Sequence, residues 1–90
     1  MYRVTLRIDR IPPEIGLQAA VDITEGFVSR PWQEKAICSY EDGGLNFKSE
    51  NDFDDNGLAT RDELAHEYSG NVPIFEDDDG NLKVVSVEKF

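Results

Sequence analysis

Between Asp52 and Glu63 the chain reads DFDDNGLATRDE: Asp52, Asp54 and Asn56 alternate up to Gly57, and Thr60, Asp62 and Glu63 follow it. Carboxylate, amide and hydroxyl oxygens are hard donors, so the chemistry open to such a segment is replacement of water around a hard cation such as calcium. Other residues able to do chemistry are sparse. The single histidine, His66, lies three residues after Glu63, a spacing that supplies two transition-metal ligands from one helix. Sites of that kind draw their remaining ligands from neighbouring helices, and the sequence offers no such set. A surface contact with Asp62, four residues earlier, is the expected role of His66. The single cysteine, Cys38, sits in the run AICSY with no base or cation to stabilise a thiolate, and reads as a small, partly buried apolar residue. Ser39 and Ser49 likewise lack an identifiable base. The acids Glu76, Asp77, Asp78 and Asp79 read as a solvated hairpin tip, since a general acid and base need a cleft that raises one of their pKa values. The chain is therefore expected not to be an enzyme.

The segment Asp52–Glu63 resembles the calcium loop of the EF-hand family. The resemblance implies ligands from Asp52, Asp54, Asn56, the Leu58 carbonyl, Thr60 and Glu63, the last bidentate, with Gly57 at the sharp turn. It covers these twelve residues and departs from the pattern in three ways. Residues 40–51, YEDGGLNFKSEN, read as a strand leaving a glycine turn, where an EF-hand has its entering helix. Ala59 stands where a branched apolar residue pairs with a second loop. No second loop follows, because EDDDGN lacks a glutamate at the required distance. A lone loop implies weak calcium binding and no other cofactor. A second reading of the same residues stands beside the first: Thr60 and Glu63 are also the N-cap and N3 residues of a capping box that opens a helix at Arg61. Asp62 and Glu63 suit the positive end of that helix, which leaves Asp52, Asp54, Asn56 and Gly57 as turn residues.

The elements that position this segment follow from periodicity. Tyr2, Val4, Leu6 and Ile8 alternate with Arg3, Thr5, Arg7 and Asp9, which predicts a half-buried strand over residues 2–9. Pro12-Pro13-Glu14 suits a helix start, and Ile15, Ala19, Ile23 and Phe27 recur at four-residue spacing before Pro31. Residues 33–40 and 45–49 flank Glu41-Asp42-Gly43-Gly44, a hairpin signature. A helix carrying Leu64, Ala65 and Tyr68 is expected to stop at Gly70, and residues 72–75 and 82–87 flank a second hairpin turn at Asp77–Asn81. The resulting order predicts an α+β fold: ferredoxin-like β-α-β-β-α-β with an extra C-terminal hairpin strand, and an antiparallel sheet with both helices on one face. Residues 1–90 are expected to form a single small domain.

The net charge is −10, and its distribution says more than its size. Residues 1–40 hold five acids and five bases, so the whole excess lies in residues 41–90, with fourteen acids against four bases. Nucleic acid is disfavoured as a partner, because its phosphates require Lys and Arg; a basic protein surface is favoured. Nothing approaches the apolar length of a membrane span, and the alternating start MYRVTLRIDR differs from a secretory leader. With one cysteine and hence no intrachain disulfide, the expected location is cytoplasmic. Function is thus expected to be non-enzymatic, in a protein–protein interaction or regulatory module engaging a basic partner surface; a calcium-binding domain is the alternative. Trp32 and the Glu76–Asp79 run are the expected partner-binding residues, since tryptophan concentrates at interface hot spots.

Overall fold

In the computed structural model, which describes residues 1–69 and 82–90, the alternating start becomes strand β1 (Tyr2–Ile8). Its Val4, Leu6 and Ile8 are fully buried, while Arg3, Thr5 and Arg7 occupy the other face and stay partly exposed. Helix α1 (Pro13–Val28) starts with proline at its first position, where the missing N–H has no partner to lose. The Pro12 carbonyl accepts hydrogen bonds from the N–H groups of Ile15 and Gly16 at 3.2 and 3.0 Å. Gly16, Ala19, Ala20, Ile23 and Phe27 form its buried stripe. Gly16 belongs there for a packing reason, because the Tyr40 ring occupies the space a Cβ would need.

Strands β2 (Glu34–Glu41) and β3 (Gly44–Asn51) form a hairpin around Asp42-Gly43, whose φ angles of 51° and 73° give the left-handed pair that matches strand twist in a two-residue turn. Helix α2 (Leu58–Ser69) and strand β4 (Leu82–Lys89) complete the described elements. The sheet has the order β2-β3-β1-β4 with every neighbouring pair antiparallel. The fold is therefore α+β, a four-stranded antiparallel sheet with two helices.

The neighbour of β1 at its free side is β4, whereas the residue 72–75 strand and the Asp77–Asn81 turn expected before it lie outside the described residues. Pairing between β1 and β4 shifts after Thr5, which faces Ser86 while Leu6 faces Val84, so Val85 bulges out and is 60% exposed. One core covers the face of Val4, Leu6 and Ile8. It joins Leu45 and Phe47 of β3, Cys38 of β2 and Leu82 of β4 to Ile23 and Phe27 of α1 and Leu64 of α2. The rings of Phe27 and Phe47 meet with centroids 4.8 Å apart at an angle of 55°, and burying each contributes about 1.5–3 kcal/mol.

At the outer edge of the sheet, the Cys38 N–H donates to Thr24 Oγ1 of α1 at 2.9 Å, and that hydroxyl donates to the Ala20 carbonyl at 2.8 Å. A helix side chain thus occupies a donor that an edge strand would otherwise present to solvent. Among the described residues, no helix is long and apolar enough to cross a membrane.

Candidate functional site

The acidic turn is built from the end of β3. There the Asn51 side chain folds back so that its Oδ1 accepts the N–H groups of Phe53 and Asp54 at 3.1 and 2.8 Å. Asp54, only 3% exposed, turns its carboxylate to the N–H groups of Ala59 and Thr60 at 3.3 and 2.7 Å. Those amides lie in the first turn of α2 and have no partner inside the helix, so a carboxylate there also meets the positive end of the helix dipole. Asn56 Oδ1 accepts from the Leu58 N–H at 3.0 Å. Gly57 adopts φ +80° and its carbonyl takes the first helical bond, from Arg61 at 2.9 Å. An added Cβ at Gly57 would strike the methyls of Val84, so glycine is required there twice over.

Helix α2 consequently begins at Leu58 and not at Arg61, and the capping box expected from Thr60 and Glu63 does not form. Thr60 lies inside the first turn, fully buried, and its Oγ1 accepts from Gln33 Nε2 at 3.2 Å and Asn51 Nδ2 at 3.3 Å. Glu63 faces the connection between α1 and β2. Its Oε1 accepts from Trp32 Nε1 at 2.7 Å and its Oε2 from Gln33 Nε2 at 2.6 Å, and Arg30 stands 3.6 Å away. Arg30 also pairs with Glu67 at 3.1 Å and lies over the Phe27 ring.

The six residues expected to surround a calcium ion therefore lie in different settings. Asp52 and Asn56 are exposed, Asp54 and Thr60 are buried among amides, the Leu58 carbonyl belongs to the first turn of α2, and Glu63 is held by Trp32 and Gln33. As arranged, this donor set does not fit a calcium ion. Among the described residues, no three His, Cys, Asp or Glu side chains come together in a way that could hold a metal ion.

What gathers here instead is a buried polar network centred on Gln33. Its Oε1 accepts from Ser49 Oγ at 2.9 Å and Asn51 Nδ2 at 3.1 Å, while its Nε2 serves Thr60 and Glu63. Sequence reasoning passed over Gln33 and Asn51 and weighed Ser49 only as a nucleophile. A signal existed in β3, where Leu45, Phe47, Ser49 and Asn51 share one face, so two polar residues continue a core-facing row.

Of the other candidates, Trp32 is 50% exposed, with its indole fixed by Glu63. Glu76, Asp77, Asp78 and Asp79 lie outside the described residues. His66 is exposed on α2. Cys38 is buried, and that desolvation pushes its thiol up to about 12, which removes the thiolate near neutral pH.

The open face of the sheet is organised by ion pairs. Glu50 sits between Arg3 at 3.1 Å and Lys35 at 3.4 Å, and Asp9 between Arg7 at 3.0 Å and Lys83 at 3.1 Å. Arg7 also donates to the carbonyls of Glu41 and Asp42, both at 2.9 Å, which ties β1 to the hairpin turn. Burial alone would raise the Glu50 carboxyl, but its hydrogen bond to Arg3 and the charge of Lys35 outweigh it and hold the group below the usual range. Hydrogen bonds from Arg7 and Lys83 likewise lower Asp9. Comparison with protein-family models, curated proteins and solved structures finds no match to this chain.

Proposed function

We propose that this chain is a non-enzymatic interaction domain whose acidic surface engages a basic surface on another protein. The observation that carries this reading is the segregation of charge. On the sheet face Arg3, Arg7, Lys35 and Lys83 share two carboxylates, Glu50 and Asp9, so bases outnumber acids in these pairs. Glu14, Glu25, Asp52, Asp55 and Asp62 are exposed on α1, the turn and α2, and form no ion pair among the described residues. Such an acid-rich surface speeds encounter with a partner of opposite sign and disfavours partners of like sign. Trp32 adds a half-exposed aromatic anchor, held beside the carboxylate of Glu63.

The element order together with the strand order β2-β3-β1-β4 supports reading the fold as the ferredoxin-like split βαβ, with β3 lying between β1 and β2. Modules of this topology that bind RNA stack bases on aromatic side chains of the open sheet face. Here that face carries Arg3, Thr5 and Arg7 of β1 beside Asn46, Lys48 and Glu50 of β3, which favours a protein partner over RNA. The buried thiol of Cys38 supports the non-enzymatic reading, and a cytoplasmic location is proposed with it.

Pull-down from cell lysate across a salt series tests the proposal. Captured partners are expected to be basic and to be lost as salt rises; a salt-independent set, or none, would count against it.

A further inference from the structure

Helix α1 leaves an apolar stripe beside the free edge of the sheet. Leu17 is 69% and Val21 48% exposed, and on a helix they lie within about 40° of each other. Across the β2 edge Ile37 is 57% exposed. Single exposed apolar residues are ordinary, but these three, from two elements, line one groove of about 510 Å³ together with Thr24, Ser39 and Tyr40. One charged residue lines the groove, and it is an acid, Glu25; α1 carries Glu14, Asp22 and Glu25 with no basic residue.

We infer that this groove is the docking site for an amphipathic helix of another protein, one that presents leucine-like side chains flanked by Lys or Arg. The inference rests on the reading of the chain as an acidic interaction domain and names the place and chemistry of the contact. Charge decides against a second copy of the chain, because a two-fold contact through α1 would set three carboxylates against three. The edge decides against an added strand, because Thr24 Oγ1 already holds the N–H of Cys38 at the middle of β2. What the groove offers is apolar side-chain contact along a helix length with carboxylates beside it, the mode in which a helix lies in a groove.

A synthetic amphipathic Leu/Lys helix of about fourteen residues, long enough for a few turns, and its Leu/Glu counterpart are the probes. The expected result in amide-shift mapping of the full chain is binding of the basic peptide alone, with changes centred on Leu17, Val21, Thr24 and Ile37. Leu17→Asp should weaken that binding about tenfold, and Glu25→Lys, which keeps the apolar wall, should weaken it severalfold. Val85→Asp, on the exposed bulge of β4, should leave it unchanged. Binding of the basic peptide around Trp32 or residues 76–79, indifferent to Leu17→Asp, would overturn the groove and leave the acidic-domain reading standing. Failure of the basic peptide to bind anywhere, or equal binding of both peptides, would overturn both. A dimer seen by sedimentation and abolished by Leu17→Asp would put a second copy in the groove and overturn the inference.

Discussion

Two polar regions lie on opposite faces of the same sheet and are held together by different physics. Around Gln33 the side chains of Ser49, Asn51, Asp54 and Thr60 are at most 3% exposed, and Asp54 is the one formally charged member of that group. On the other face Arg3, Glu50, Lys35, Arg7, Asp9 and Lys83 are all charged, and the side chains of Arg3 and Lys35 remain 42% and 77% exposed. Out of water, a donor or acceptor that loses its partner keeps its full desolvation penalty. In water, a broken ion pair is largely replaced by solvent and salt. The face with fewer charges should therefore be the more sensitive to substitution.

The hardest test removes Asn51. Asn51→Leu strands the N–H groups of Phe53 and Asp54 and leaves Gln33 Oε1 and Thr60 Oγ1 each short of a donor, so a loss of about 3 kcal/mol in urea unfolding is expected, with little dependence on salt. A loss below that of an ordinary surface substitution would erase the contrast between the faces.

Glu50→Gln should act more weakly and in a different way. The Glu50 carboxyl is depressed in the folded state, so its contribution is present above the unfolded carboxylate value and disappears as pH falls through the lower folded one. Melting curves of wild type and Glu50→Gln should differ near neutrality, converge on acidification below about pH 4, and approach each other in high salt. Curves separated by a constant interval at every pH would show that the pair acts by packing.

The smallest expected effect is none. Melting temperatures in calcium, magnesium and chelator should coincide, because Asp54 is already committed to the amides of α2 and Glu63 to Trp32 and Gln33. A rise specific to calcium would mean that the turn rearranges to bind it, since a ligand of the folded state stabilises that state by mass action.

The contrast also explains which features the amino-acid order made legible. The alternation of Tyr2–Ile8, the proline opening α1 and the Asp42-Gly43 turn are short-range signals, and each became the expected element. The start of α2 was misread because Thr60-x-x-Glu63 satisfies a local rule while its side chains answer to distant partners. Gln33 lies twenty-seven residues from Thr60, and Trp32 lies thirty-one from Glu63. With those two side chains drawn away, Asp54 and Gly57, still local to the turn, open the helix earlier. Alternation along β2 sets Cys38 and Tyr40 on the face opposite Ile37. It carries no sign that Ile37 would line a groove with Leu17, because that depends on how α1 lies along the edge of β2.

The small contact between Thr24 and Cys38 reaches beyond the single molecule. A row of unpaired backbone donors on a strand is the template on which sheets lengthen from one chain to the next and end as fibrils. By taking the middle donor of that row, one hydroxyl on a helix opposes growth of the sheet across molecules on the β2 side. Removing it, as in Thr24→Val, would keep the bulk of the side chain and leave that donor unpaired, a change to be read in a shorter fibril lag time beside a modest loss in the melting curve.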